Sequence, residues 1–321
     1  MIEARALSKQ YGATRALSEL SFNISRGEVV GFLGPNGAGK TTTMRILTGF
    51  LRPTSGQALI GGVDVAADPI ATRSRIGYLP ESAPLYNEMM VADFLRFVAN
   101  MRNIPLDIRA RRLKDIAERC GLMNVLGKDI GQLSKGFRQR VGLAQAMVHD
   151  PDLVILDEPT SGLDPNQIVE IRELIKELGR EKTVILSTHI LPEVQATCDR
   201  VMIISDGKLV ADDTPDGLAA RETGAVIRVV LKAKNDITID AAKVESVLGK
   251  VAGVRTVTSH EGEGAGTLGY RVQTAGKDDP REGLFRAAVE NDLVLLDLHR
   301  EHISLEDTFR RLTRGEGGAH A

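Results

Sequence analysis

The segment Gly34-Pro35-Asn36-Gly37-Ala38-Gly39-Lys40-Thr41 carries the most specific chemistry in the sequence. A glycine, four residues and then Gly-Lys-Thr follow the apolar run from Val29, and apolar residues at helical spacing (Met44, Leu47) come after. Between a strand and a helix, such glycines let backbone N–H groups point inward at phosphate oxygens. The following helix presents its positive N-terminal end to the same anion. Lys40 supplies a point charge for β- and γ-phosphates, and the Thr41 hydroxyl is placed to ligate Mg²⁺. Thr42 extends the set of residues expected to touch a nucleotide.

A second constellation is Leu153-Val154-Ile155-Leu156-Asp157-Glu158. Its apolar strand carries Asp157 to the end, where a carboxylate can hold the Mg²⁺ water shell. Neighbouring residues on a strand face opposite ways, but at the strand's end Glu158 can turn toward an attacking water. Together with the phosphate loop, the pair predicts a nucleotide-hydrolysing site.

The elements that must position these groups are legible as well. The runs Leu153–Asp157, Thr183–Ser187 and Val201–Ile204 read as strands, and Pro165–Leu178 as a helix with proline in its first turn. Strands alternating with helices predict a mainly parallel sheet covered on both faces. From Val91 to Gly121 the reading is helical, with Val91, Leu95, Val98 and Met101 on one apolar face. Arg109, Arg111, Arg112 and Lys114 read as its solvated continuation. The character changes at the turn-rich Thr214-Pro215-Asp216-Gly217. Beyond it, strand 226–231, helix 241–248, strands 254–259 and 270–274, helix 281–290 and strand 293–298 give β-α-β-β-α-β, the ferredoxin-like order. A last helix is expected from Ser304, with Asp307 as its capping partner and Leu305, Phe309 and Leu312 on one face. The division expected is residues 1–220, with a helical part near 85–150, followed by an accessory domain over 221–321.

Composition narrows the classes. In 321 residues, 41 basic against 43 acidic side chains leave a charge of −2, which argues against a dedicated nucleic-acid binder. Aromatics are 4% with no Trp, which disfavours a stacking platform for single strands. Cys120 and Cys198 fit no metal or disulfide spacing. His299 and His302 gather no further ligands and read as surface residues. Apolar stretches are strand-sized, whereas a spanning helix needs about 20 apolar residues. With no hydrophobic signal region at the start, the expectation is a cytosolic chain that does not itself cross a bilayer.

Four further elements complete an ordered set. Tyr11 lies upstream of the phosphate loop, and Leu133-Ser134-Lys135-Gly136-Phe137-Arg138-Gln139-Arg140 precedes Asp157. Ser161-Gly162-Leu163-Asp164 follows Glu158, and His189 ends the strand from Thr183. Over residues 1 to about 215 this set resembles the ATP-binding subunit of ABC transporters. The resemblance implies a P-loop ATPase fold of α/β class, with a mixed sheet core and a helical subdomain. It implies ATP and Mg²⁺ as cofactors, and two subunits closing head to tail around two ATP molecules. Ser134 and Gly136 would contact the γ-phosphate held by the other subunit. Glu158 would act as general base, and His189 would hold the transition-state charge. Asp164 would couple the two sites, and Tyr11 would stack on adenine. The partner implied is a separate membrane permease, with the subunit peripheral on the cytoplasmic face and docking near the Glu81 loop and Leu85–Gly121. Met89, Met90 and Phe94 are there either as contacts or as core.

Two departures from the family pattern stand out. Glu81 follows Gly77-Tyr78-Leu79-Pro80 where the family usually has Gln, a residue that reaches Mg²⁺ and senses the partner; Glu81 is expected to keep that role. Lys135 replaces a glycine of the usual Leu-Ser-Gly-Gly-Gln, pointing either toward the opposite γ-phosphate or to solvent. Both departures, Gly162-Leu163-Asp164-Pro165-Asn166-Gln167 and the stretch 304–313 resemble exporter ATPases of the drug-exporter and gliding-motility kind. An importer ATPase and a soluble ABC-type ATPase acting on ribosomes or DNA are the alternatives. The intact Lys40, Asp157, Glu158 and His189 oppose a switch that does not hydrolyse.

Overall fold

The computed structural model describes residues 1–220, 226–234, 240–261, 266–274, 279–301, 306, 309 and 313. They divide into two units, one built on Met1–Pro215 and one on Asp216–Arg310. In chain order the first unit begins with β1 (Ile2–Tyr11), β2 (Thr14–Ile24), β3 (Val29–Leu33), α1 (Lys40–Leu47), β4 (Ser55–Ile60) and β5 (Val63–Asp64). It continues with α2 (Pro69–Ser74), β6 (Ile76–Leu79), α3 (Val91–Met101), α4 (Leu106–Arg119), α5 (Lys135–Met147) and β7 (Leu153–Asp157). Then come α6 (Pro165–Gly179), β8 (Thr183–Thr188), α7 (Leu191–Thr197), β9 (Arg200–Ser205) and β10 (Lys208–Asp213), and α8 (Pro215–Ala220) begins at the boundary with the second unit.

The central sheet has six strands in the order β10-β9-β3-β8-β7-β6. All neighbours pair parallel except β10, which joins β9 antiparallel at the edge. Every residue of β3, β7 and β8 is buried, as a strand covered on both faces requires. Removing each such Val, Leu or Ile from water contributes roughly 1.5–3 kcal/mol.

A second, antiparallel sheet of order β2-β1-β4-β5 is not part of the parallel arrangement expected from sequence. Its strands break their alternation at register shifts, such as the one between Ala4 and Leu7, where Ala6 takes φ +47°. Leu7, Leu17, Leu20, Ile24 and Ile60 nevertheless turn inward and share one core with Phe32, Met44, Ile155 and Ile204. Ala38 of the phosphate loop packs into that shared core.

The helical part differs from the sequence reading in one detail. Val91, Leu95 and Val98 of α3 are buried, but Met101 is 67% exposed. The pattern ends one turn early, because α3 stops at Met101.

The second unit contains β11 (Val226–Ala233), α9 (Ala241–Gly249), β12 (Val254–Glu261), β13 (Thr267–Thr274), α10 (Arg281–Glu290) and β14 (Leu293–Glu301). Its sheet runs β12-β13-β11-β14, antiparallel throughout. Ile227, Val229, Leu231, Tyr270 and Val272 on one face pack against Val244 and Leu248 of α9 and Leu284 and Ala288 of α10. The Tyr270 hydroxyl donates to the Ala241 carbonyl at 3.1 Å. The helix expected from Ser304 lies mostly outside the described residues; Glu306, Phe309 and Thr313 are helical.

Candidate functional site

Register in the central sheet decides where the chemistry gathers. Leu33 of β3 lies beside Thr188 of β8, Asp157 of β7 beside Ser187, and Leu79 of β6 beside Leu156. The carboxyl ends of β3, β8, β7 and β6 therefore deliver the phosphate loop, His189, the Asp157–Glu158 pair and Glu81 to one edge. A cleft of about 360 Å³ opens there, lined by Asn36, Gly37, Gly39, Lys40, Thr41, Thr42, Glu81, Glu158 and His189, with Ala16 and Ser161 at its walls.

The loop needs its glycines. Gly39 takes φ +107° as the residue preceding α1, and a Cβ there would come within 2.8 Å of the Ala16 carbonyl. Lys40 opens the helix, and its ammonium donates to the Gly34 carbonyl at 2.7 Å and the Pro35 carbonyl at 3.3 Å. It also stands 3.7 Å from Glu158 Oε1, with both side chains buried. Burial pushes the Lys40 pKa below its ordinary value, while the Glu158, Asp157 and Glu81 carboxylates pull the other way.

Asp157 is 1% exposed. Its Oδ1 accepts from the Thr41 hydroxyl at 3.4 Å and from the Ser187 hydroxyl, whereas Oδ2 is buried with no hydrogen-bond partner. A buried carboxylate oxygen without a donor, next to a threonine hydroxyl, fits the inner or water-mediated shell of a hard divalent cation.

Glu158 lines the cleft, and its neighbour Asp157 lies buried beside it. Its backbone takes φ +50°, rare outside glycine, while its N–H donates to the Ser187 carbonyl at 2.9 Å. That left-handed turn swings the side chain onto the Asp157 side, where it is 7% exposed and faces His189 Nδ1 at 2.9 and 3.0 Å.

The other residues singled out from sequence lie elsewhere in the chain. The Ser134 side chain caps α5, accepting from the Phe137 N–H at 3.4 Å. A Cβ on Gly136 would meet the Gln167 side chain at 2.6 Å, and Lys135 is exposed with its ammonium turned back against Gly162. Asp164 caps α6, accepting from the Gln167 N–H at 3.0 Å. These four form a second cluster that does not line the cleft. Tyr11, 47% exposed at the β1–β2 turn, has the Lys9 ammonium 5.2 Å from its ring centre. Ser187 escaped the sequence reading because only its register beside Asp157 marks it.

The model of the family described as "ABC transporter" matches residues 17–161, from Leu17 in β2 to Ser161 just after Glu158. One described as "AAA domain, putative AbiEii toxin, Type IV TA system" matches residues 129–194. The chain is 30% identical to the linearmycin resistance ATP-binding protein LnrL of Bacillus subtilis, over 98% of each chain. The chain belongs to the ABC transporter ATP-binding proteins. It thus carries an ABC-type ATPase cassette, and the nucleotide that this cassette binds is ATP. It is also 37% identical to the probable multidrug ABC transporter ATP-binding protein YbhF of Escherichia coli, over 69% of its own length, but spans 38% of that protein's. Among solved structures, the dimeric bacterial ABC transporter cassette MJ0796 superposes with TM-score 0.61 at 25% identity, covering 67% of this chain and 98% of the other.

Cys120 and Cys198 are free and buried, and burial pushes both thiols up to about 12. His299 faces Asp297 at 2.9 Å on the surface; no group of three or more His, Cys, Asp or Glu among the described residues could hold a metal. His302 lies outside the described residues.

Proposed function

We propose that this ABC cassette hydrolyses Mg-ATP as one of two subunits that drive a separate membrane permease of exporter type. The observation that carries the reading is the single cleft at the carboxyl ends of β3, β6, β7 and β8. There Lys40, Thr41, Glu81, Glu158 and His189 converge beside a buried Asp157 oxygen that lacks a donor.

In this reading, the loop from Gly34 to Gly39 and the N-terminus of α1 bind the phosphates, and Lys40 fixes their charge. Thr41, Asp157 and Glu81 are the side chains that would hold Mg²⁺. When bound, the ion neutralises phosphate charge. Glu158 takes the proton of the attacking water, and His189 keeps its carboxylate aimed into the cleft. Tyr11 stacks on adenine from the hairpin tip.

The signature cluster serves the other subunit's ATP. Ser134 places the exposed N-terminus of α5, a ready anion site, outside its own cleft. A second copy facing it head to tail supplies each cleft with Ser134, Lys135 and Gly136, while Asp164 joins the two sites. The dimeric form of the MJ0796 cassette supports this arrangement.

Among the described residues, no helix is long and apolar enough to cross a membrane. A groove of about 610 Å³ lined by Phe50, Tyr78, Tyr86, Phe97 and Met101 offers a seat for a permease helix, on the cytoplasmic face. Phe94 is 1% exposed at its base and belongs to the core; Met89 and Met90 do not line it. Exporter type is supported by the names of YbhF and LnrL, and LnrL matches through the second unit as well. The test is Mg²⁺-dependent phosphate release by the purified chain, abolished in Lys40→Ala. Its companion is purification from membranes in mild detergent, where a multi-span protein should accompany the chain.

A further inference from the structure

Glu193 lies outside the cleft, on the first turn of α7, and is 3% exposed. Its Oε1 accepts from the Thr160 hydroxyl at 2.5 Å, and its Oε2 accepts from the Thr188 hydroxyl at 2.9 Å. Both threonines are themselves buried. Thr160 follows Glu158 by two residues, and Thr188 immediately precedes His189. Thr188 Oγ1 also accepts from the Ile190 N–H at 3.1 Å, the amide just beyond His189. One carboxylate thus ties the loop after β7 to the last residue of β8, where the loop that carries His189 begins. The two side chains those loops present, Glu158 and His189, meet at 2.9 Å.

We propose that Glu193 is a positioning residue for hydrolysis, setting the spacing between Glu158 and His189 through Thr160 and Thr188. A buried carboxylate is costly unless its oxygens are hydrogen-bonded, and a satisfied buried network is rigid. Here that rigidity is applied to two loops whose side chains would act on the same water and phosphate. A misplacement of about 1 Å in such a site costs on the order of 10²-fold in rate. The proposal rests on the hydrolytic reading of the cleft. It separates from a merely structural role because phosphate binding depends on Lys40 and the loop after β3, which the brace does not touch.

Thr160→Val and Thr188→Val each remove one strut at nearly constant volume. Glu193→Ala removes both. Glu193→Gln keeps one carbonyl acceptor, and its amide can donate to a threonine hydroxyl that turns to accept. The experiment measures kcat and KM for phosphate release by the full chain, with binding of a fluorescent ATP analogue and the unfolding midpoint alongside. The expected result is a kcat lowered tenfold or more in Thr188→Val and Glu193→Ala, analogue affinity within twofold, and Glu193→Gln near wild type. In a His189→Ala background, Thr188→Val should lower the remaining rate by less than twofold. A folded Thr160→Val and Thr188→Val pair, each within twofold of wild-type kcat, overturns the brace. So does analogue affinity that falls in step with kcat. A Glu158→Gln control that still hydrolyses at the wild-type rate overturns Glu158 as the base, and the brace falls with it. If that control is inactive while Thr188→Val is not impaired, the brace alone is overturned.

Discussion

His189 Nδ1 faces both carboxylate oxygens of Glu158, 3.0 Å from Oε1 and 2.9 Å from Oε2. Lys40 Nζ stands 3.7 Å from the same Oε1. The Glu158 carboxylate is thereby fixed between a buried ammonium and an imidazole whose other edge is open to solvent. Its left-handed backbone, φ +50°, is a strained arrangement held for the sake of that placement.

Replacing the imidazole should separate chemistry from binding. His189→Ala leaves the phosphate loop, Lys40 and Thr41 intact but frees the Glu158 carboxylate. We expect kcat to fall by about 10²-fold and ATP affinity to stay within threefold. Single-turnover phosphate release and equilibrium binding on one preparation check both halves.

Glu81 lies in the cleft, and its charge is felt at Lys40. Glu81→Ala should lower the basal rate severalfold and raise the Mg²⁺ concentration needed for half-maximal hydrolysis. Stimulation by the co-purified permease should be lost. A Mg²⁺ titration with and without permease decides it; unchanged values in both would remove Glu81 from the site.

His149 offers a pH test independent of nucleotide. Its Nε2–H donates to the Ile76 carbonyl at 3.0 Å, and Nδ1 is buried without a partner. Burial, with Arg102 adding to it, pushes the pKa from 6.5 down to about 4. Between those values the unfolded chain binds a proton that the folded chain does not. Stability is therefore full above about pH 6.5 and is lost as pH falls toward 4. His149→Gln should flatten that slope, read as the urea midpoint at pH 7, 6, 5 and 4.5.

The groove predicts a partner effect without a catalytic one. Phe50 is 72% exposed and Tyr86 is at least half so, yet neither touches the cleft. Phe50→Ala with Tyr86→Ala should leave basal phosphate release by the isolated chain within twofold. Recovery of a membrane protein with it should fall at least tenfold, measured by quantitative pull-down.

Much of this was legible in the residues, for identifiable reasons. The runs at β3, β7 and β8 read as strands because parallel strands buried on both faces are continuously apolar, and Pro165 marked the start of α6 by its fixed φ. The antiparallel sheet was not legible, since bulges at Ala6 and Glu19, both with positive φ, break the alternation in β1 and β2. Asp157 and Glu158 were visible as a pair. That Glu158 turns into the cleft beside the buried Asp157 depended on a left-handed residue that no spacing announces. Ser187 and Glu193 act through neighbours on other strands or loops, and that adjacency exists only in the fold. Met101 looked apolar and periodic, but it ends α3 at the rim of the groove.

The proposed role of Glu158 is that of the base in an ATPase whose two cassettes close on nucleotide. Its most direct test is Glu158→Gln with Mg-ATP, following phosphate release and molecular mass by light scattering in the same sample. The variant should bind ATP, accumulate as a dimer and release phosphate at least about 10²-fold more slowly than wild type. A variant that stays monomeric while hydrolysing at the wild-type rate would contradict it.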